Sequence, residues 1–126
     1  MITILGAGKV GMAAAIMLMM RGVDDLLLIS RTPGRPQGEA LDLAHAAAEL
    51  GVDVEIRGSN SYEDMRGSDI VVVTAGVPRQ PGMTREQLLE SNASTVADLA
   101  EKIRRYAPES IVILTTNPVD AMTYVM

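Results

Sequence analysis

The chain has 126 residues, of which 48% are apolar, so it can fill one hydrophobic core but not two. A formal net charge of −5 and only three aromatic residues provide neither a basic face for phosphates nor a stacking platform for bases, so nucleic acid is not an expected partner. The longest apolar run, residues 12–20, is shorter than the roughly 20 residues of a membrane span, so no membrane partner is expected. The absence of cysteine excludes disulfides and cysteine-ligated zinc and is compatible with a reducing cytosol. We expect a cytoplasmic location and no metal site.

The first half of the chain alternates predicted strands with predicted helices. A short apolar run at residues 2–5 predicts a strand, and residues 10–20 predict a buried helix that stops at a cation followed by a glycine. A second apolar run at residues 26–29 predicts another strand. A loop rich in proline and glycine is expected at residues 32–38, and the spacing of apolar residues predicts a helix over residues 39–50.

The next elements are an edge strand, a central strand and a long helix. Residues 52–56 alternate apolar with acidic side chains, as a half-exposed edge strand does, whereas residues 70–73 are uninterruptedly apolar and predict a central strand. Thr84 and Gln87 have the spacing of a capping box, which predicts the start of a long helix that runs towards Pro108.

The pattern as a whole predicts the fold. Residues 111–114 predict a fifth strand, and another helix is expected after Asn117-Pro118. Five strands separated by helices or long crossovers predict an α/β fold with a Rossmann-type, doubly wound parallel sheet, whose ligands gather at the carboxyl ends of the strands. The last helix has no stop signal before Met126, so we expect the chain to be part of a longer protein.

A glycine motif, Gly6-Ala7-Gly8-Lys9-Val10-Gly11, joins the first predicted strand to the first helix. In this context the three glycines allow a tight turn, a close approach of the backbone to a diphosphate, and close packing of helix on strand. The helix start also offers free N–H groups to phosphates. A glycine turn that serves packing alone is the alternative. We favour a dinucleotide-binding domain over residues 1–126, with cofactor contacts from Gly6, Gly8, Lys9, Val10 and Gly11.

The end of the second predicted strand carries Ser30-Arg31, where NAD-binding domains normally have an acidic residue for the ribose diol. Residues 26–38 contain Arg31 and Arg35 and no acid. A hydroxyl beside a guanidinium can bind a 2′-phosphate, which an aspartate would repel. Ser30 and Arg31 are therefore predicted cofactor-binding residues that favour NADP over NAD. In the alternative interpretation both arginines are solvated loop charges.

A loop rich in proline and glycine, residues 74–85, connects the fourth predicted strand to the capped helix. It contains Arg79 and Arg85 and no acid, within a domain that is acidic overall. Two guanidiniums above a cofactor cleft suit a substrate with two carboxylates, because each can form paired hydrogen bonds with a carboxylate. From these residues alone, a solvated loop remains an equal alternative.

Taken together, these motifs resemble those of the lactate and malate dehydrogenase family over essentially the whole chain. Arg79 occupies the place where malate-specific members have an arginine and lactate-specific members a glutamine, so the resemblance implies reversible hydride transfer between NAD(P)H and oxaloacetate or malate. The segments that carry the resemblance are residues 6–11, 38–45, 74–76, 81–85, Asn92 and residues 116–120.

The resemblance also implies roles for individual residues. Arg85 is expected to be catalytic, polarising the substrate carbonyl from a closing loop, and Arg79 to bind the distal carboxylate. Asn117 is expected to position both substrate and nicotinamide. The remaining residues that the resemblance assigns to the cofactor groove are Thr74, Ala75, Gly76, Asn92 and Thr116.

This chain departs from the family pattern in two respects. Ser30-Arg31 replaces the acidic residue of the NAD-using members. The acid/base histidine, its aspartate partner and the arginine that binds the C1 carboxylate belong to the C-terminal substrate domain, a second half that is absent here, and His45 matches a family position that is not catalytic. This chain alone is therefore expected to bind cofactor but to turn over slowly or not at all. The family also implies a homodimer or homotetramer and a place in the tricarboxylic acid cycle. Two alternatives remain, a lactate-type 2-hydroxy acid dehydrogenase and a nucleotide-binding module without catalysis.

Overall fold

Five parallel strands alternate with helices in a computed structural model that describes all 126 residues. The elements are β1 (Ile2–Leu5), α1 (Lys9–Met20), β2 (Leu26–Ile29), α2 (Arg35–Leu50), β3 (Ile56–Ser59), a 3-10 helix (Tyr62–Met65), β4 (Ile70–Val73), α3 (Arg85–Tyr106), β5 (Ile111–Leu114) and α4 (Val119–Val125). The strand order in the sheet is β3-β2-β1-β4-β5, which confirms the predicted doubly wound α/β fold. None of the helices is both long and apolar enough to cross a membrane.

The core consists of two layers, one on each face of the sheet. Alternate residues of a strand point to opposite faces, so Ile4 and Leu28 pack against α1 and α2, whereas Leu5 and Ile29 pack against α3. All residues of β1 and β2 are buried, as expected for central strands covered on both faces. The sheet is therefore a rigid base for the loops that leave its carboxyl edge.

The position of the third strand differs from the prediction. Residues 52–56 were expected to form it, but β3 runs from Ile56 to Ser59 and pairs with β2. Val52 and Val54 do pack against the core, so their alternation reflects burial and not strand pairing. Gly58 permits the actual strand, because a Cβ there would overlap the carbonyl of Pro36 in the first turn of α2. The edge location of the strand is confirmed.

The second helix also begins earlier than predicted. Residues 32–38 were expected to be a loop, but α2 starts at Arg35, four residues before the expected Glu39. Gly34 adopts a left-handed conformation with φ +74° just before the helix. Pro36 lies in the first turn, where a residue without an N–H costs no helical hydrogen bond. This proline therefore marks the start of a helix and not a loop.

The predicted capping box of α3 is confirmed. The Thr84 hydroxyl accepts a hydrogen bond from the backbone N–H of Gln87 at 3.1 Å, and the Gln87 side chain accepts one from the N–H of Thr84 at 3.0 Å. The box ends the loop that follows β4 and fixes where Arg85 enters the helix.

Candidate active site

The glycine motif makes a tight connection between β1 and α1. Gly6 has φ +119°, and a Cβ there would lie 2.7 Å from the Thr74 hydroxyl. A Cβ on Gly11 would overlap the carbonyl of Gly6, so this glycine allows α1 to approach β1. Gly8, by contrast, faces open space with nothing within 4 Å, and no side chain caps the helix start. The free N–H groups of α1 are thus accessible to an anion.

The loop after β4 forms the opposite wall. The backbone N–H groups of Thr74 and Ala75 both donate to the Leu5 carbonyl at 2.9 Å. The Thr74 hydroxyl donates to the Gly6 carbonyl at 3.0 Å, which joins this wall to the glycine motif. Two strand-end loops are therefore fixed to each other at the switch in strand order between β1 and β4.

A cleft of about 540 Å³ opens between these walls. It brings together predicted residues from three loops that are distant in the sequence. Lys9 and Val10 do not line it but lie exposed on the first turn of α1. The lining includes Gly6, Gly8, Ser30, Arg31, Thr74, Ala75 and Gly76.

Several lining residues were not predicted from the sequence. Tyr62 comes from the 3-10 helix, and Ser94, Thr95 and Asp98 come from one face of α3. Burial raises the pKa of the Tyr62 phenol above its ordinary value. No local motif marks these residues, and the one available signal is the polar face that Ser94 and Asp98 form at helical spacing.

The cleft end near β2 is rich in arginine. Arg31 and Arg35 both line it, and Asp98 is the one acidic residue in the lining. The Asp98 carboxylate lies 3.5 Å from the Lys102 ammonium, whereas Arg31 makes no ion pair within the chain. The Ser30 hydroxyl is buried and has no hydrogen-bond partner. Such an orphaned hydroxyl fits a site that a polar ligand completes.

Asn60 holds the segment from the end of β2 to the start of α2, which carries these arginines. Its Nδ2 donates to the carbonyls of Ser30 at 2.7 Å and Thr32 at 2.9 Å. Its Oδ1 accepts from Gln37 Nε2 at 2.9 Å and from the Gly34 N–H at 3.4 Å. Sequence reasoning missed this residue, because its partners lie 23 to 30 positions away.

A second cavity, of about 500 Å³, brings the three predicted substrate residues together. Arg79, Arg85 and Asn117 all line it, with Glu86, Leu88, Leu89 and Pro118. Neither arginine forms an ion pair within the chain, and the Arg79 Nε donates only a long hydrogen bond of 3.4 Å to the Met83 carbonyl. Two guanidiniums without ion pairs and one amide can pair with carboxylates, and the carboxylate of Glu86 lines the same cavity.

Asn92 and Thr116 lie behind the cleft wall and do not line either cavity. Asn92 is 2% exposed, and its side chain bonds to the backbone of Val77 and Asn117. The Thr116 hydroxyl donates to the Ala75 carbonyl at 2.7 Å. His45 is exposed on α2 and lines neither cavity, so this chain brings no histidine to the site.

A glycine motif and an open helix start at the switch point of a doubly wound sheet define a dinucleotide-binding domain. Comparison with known proteins gives the family. The chain belongs to the lactate/malate dehydrogenase family, whose NAD binding domain matches residues 1–126.

Individual relatives are similar over this entire chain. A malate dehydrogenase of Aeropyrum pernix is 82% identical over 126 residues, which is 100% of this chain and 41% of the relative. A malate dehydrogenase of Pyrobaculum calidifontis is 65% identical over 127 residues, again 100% of this chain and 41% of the relative. The chain thus spans about two fifths of the length of these relatives.

Solved structures show the same fold. The Aeropyrum pernix malate dehydrogenase superposes with a TM-score of 0.96 at 82% identity, covering 98% of this chain and 40% of that one. The Archaeoglobus fulgidus malate dehydrogenase in complex with NADH gives 0.94 at 42% identity, covering 99% and 43%. The lactate dehydrogenase of Eimeria maxima with NADH and oxamate gives 0.92 at 32% identity, covering 98% and 38%.

Proposed function

We propose that the protein containing this chain is a malate dehydrogenase, which transfers hydride reversibly between a nicotinamide cofactor and oxaloacetate or malate. The observation that carries the proposal is the meeting of Arg79, Arg85 and Asn117 at one cavity, next to a loop that also walls the dinucleotide cleft. Two relatives similar over the whole of this chain are named malate dehydrogenase, which supports it.

The cofactor is proposed to bind along the 540 Å³ cleft. The backbone around Gly8 and the first N–H groups of α1 would receive the diphosphate, since no side chain blocks them. Thr74 to Gly76 would form the wall beside the nicotinamide half. When bound, the nicotinamide ring supplies or accepts the hydride.

The substrate is proposed to occupy the second cavity. Arg79 would pair with the distal carboxylate of a four-carbon dicarboxylic acid. Arg85 would face the C2 oxygen, where a positive charge stabilises the alkoxide character that develops during hydride transfer. Asn117 would orient the substrate, and closure of the loop that carries Arg79 would exclude water.

Proton transfer is proposed to come from outside this chain, because His45 lines neither cavity and the chain spans about two fifths of its relatives. The chain alone is then expected to bind cofactor with little or no turnover. With oxaloacetate and malate as the proposed substrates, we also propose that the whole protein acts in the tricarboxylic acid cycle.

For the cofactor, we propose that NADP binds more tightly than NAD. The support is local: Ser30, Arg31 and Arg35 line the β2 end of the cleft, and residues 30–38 contain no acid. Arg35 pairs with Glu39 at 3.7 Å, which leaves Arg31 as the arginine without an ion pair. NADH is bound in the Archaeoglobus fulgidus relative. The 2′-phosphate of NADP would add charge-assisted hydrogen bonds to those that both cofactors make.

The substrate proposal is tested by assaying the full-length protein with oxaloacetate and with pyruvate, using NADH and NADPH. We expect oxaloacetate to be strongly preferred, and Arg79→Gln to lower its kcat/KM at least tenfold with NADH affinity unchanged. A preference for pyruvate would instead establish a lactate-type dehydrogenase. Cofactor binding without turnover of either acid would establish a nucleotide-binding module.

A further inference from the structure

One buried amide links the two loops that carry the substrate residues. Asn92 lies in α3 and is 2% exposed. A buried side-chain amide is costly unless its donors and acceptor are satisfied, so its partners show what it holds. Its Oδ1 accepts from the Val77 N–H at 2.8 Å, and its Nδ2 donates to the Asn117 carbonyl at 2.7 Å and to the Val77 carbonyl at 3.4 Å.

These partners belong to two separate loops. Val77 lies in the loop after β4, two residues before Arg79, whereas Asn117 lies in the loop after β5. The strand ladder between β4 and β5 ends at Val73 and Leu114. Beyond it, Asn92 makes the last side-chain connection between the two loops before they reach the second cavity.

The packing around Asn92 is tight. A Cβ on Gly76 would lie 2.7 Å from the Thr116 Cγ2 and 3.2 Å from the Asn92 Oδ1, so the two loops approach each other with no space to spare. Asn92 also lies seven positions after Arg85 in the same helix, which places both on one helix face. A shift of either loop relative to α3 would therefore change the distances among all three substrate residues.

We propose that Asn92 is a positioning residue for the substrate, which sets the spacing of Arg79, Arg85 and Asn117 without touching cofactor or substrate. This inference rests on the proposed dehydrogenase function for its kinetic consequences, but not for its structural one. It requires a side chain that both accepts and donates, because Asn92 accepts from the Val77 N–H and donates to the Asn117 carbonyl.

The kinetic test uses Asn92→Asp, which keeps the shape and loses the donor, and Asn92→Ala, which removes both functions without adding charge. In the full-length protein we expect both to raise the KM for oxaloacetate at least tenfold while the Kd for NADH, measured by fluorescence, stays within twofold. Glu90→Gln, on an exposed position of the same helix, is the matched control and should change neither. An unchanged KM, or an equal loss of NADH affinity, would overturn the proposal.

Asn60→Asp makes the same chemical change at the other asparagine whose side chain connects separate segments of the chain. Because Asn60 holds the loop with Arg31 and Arg35, we expect it to weaken cofactor binding and to leave the KM for oxaloacetate unchanged at saturating cofactor. If both asparagine variants altered the same parameter, Asn92 would have no specific role towards the substrate.

A second readout does not depend on activity. Trypsin can cleave after Arg79 and Arg85, so a loosened loop should be cut faster in Asn92→Ala than in Glu90→Gln, with circular dichroism confirming that both are folded. Equal cleavage rates would refute the positioning role. Faster cleavage in a protein that reduces no oxaloacetate would retain the role of Asn92 and reject the dehydrogenase proposal. If the alanine variant did not fold, Asn92→Ser would be compared in the same way.

Discussion

At the scale of residues, the glycines of the site, which have no side chain, matter as much as the residues with functional side chains. Gly6 and Gly11 allow β1, α1 and the Thr74 wall to approach closely, and Gly8 leaves open space above the helix start. A single Cβ at Gly11 would push α1 away from the sheet. The cleft therefore depends on three glycines, of which Gly6 and Gly11 allow close packing and Gly8 leaves the start of α1 open for the proposed diphosphate.

The arginine beside β2 gives a prediction for cofactor choice. Arg31 lines the cleft and makes no ion pair, so it is free to bind the 2′-phosphate of NADP. A charge-assisted hydrogen bond contributes about 1.5–3 kcal/mol, which corresponds to roughly tenfold in affinity or more. We expect fluorescence titration of the full-length protein to give a lower Kd for NADPH than for NADH, with the difference lost in Arg31→Ala.

The control for this titration is Arg21→Ala, which removes an exposed arginine at the end of α1 that does not line the cleft. It should leave both Kd values unchanged. Equal affinities of the unaltered protein for NADPH and NADH would reject a phosphate role for Arg31.

At the scale of elements, α1 is apolar on more sides than the sheet covers. Gly11, Ala15 and Met19 are buried against the sheet, whereas Val10 is 61% exposed, Met17 58% and Met20 60%. The exposed residues recur at helical spacing and form a second apolar stripe. A helix that is apolar all round is normally buried. Because the family resemblance implies a homodimer or homotetramer, we predict that a second copy of the protein covers this stripe.

Analytical ultracentrifugation of the full-length protein tests this proposal. We expect a dimer or larger assembly, and we expect the double variant Met17→Glu/Met20→Glu to shift it towards monomer, because two buried carboxylates would have no partners. Ala97→Glu, at an exposed position of α3 on the opposite face of the sheet, should leave the mass unchanged. A monomeric parent protein, or a double variant that keeps the parent mass, would contradict it.

Elements also differ in how far the sequence determines them. The capping box at Thr84 and the apolar runs of β1, β2 and β4 could be predicted because their signals are local. The bounds of β3 could not be predicted, because Gly58 is required by a contact with Pro36 that exists only in the folded chain. Pro36 itself is typical of a loop by composition, although its missing N–H suits a first helical turn equally well.

The residues of the site divide in the same way, into those with a local sequence signal and those whose importance depends on contacts in the fold. Gly6, Gly8, Arg79 and Arg85 stand in motifs, so the sequence alone is enough to predict them. Asn60 and Tyr62 follow β3 without a motif, and their importance lies in partners or neighbours distant in the sequence. Asn92 could be identified by the resemblance, but its contacts with Val77 and Asn117 could not.

At the scale of the whole molecule, the switch in strand order brings the functional loops together. β1, β2 and β4 end at the same edge, and the loops that follow them line one cleft. The loops after β4 and β5 then line the neighbouring cavity with its two arginines. The proposed cradle for a diphosphate and the proposed place for a dianion thus lie next to each other at the carboxyl edge of one sheet.

A crystal structure of the full-length protein with NADPH and malate tests this account most directly. We predict that the diphosphate lies against Gly8 and the N–H groups that open α1, that the adenosine lies towards Arg31, and that a malate carboxylate pairs with Arg79. A cofactor bound away from the glycine motif, or Arg79 and Arg85 directed away from the nicotinamide, would contradict it.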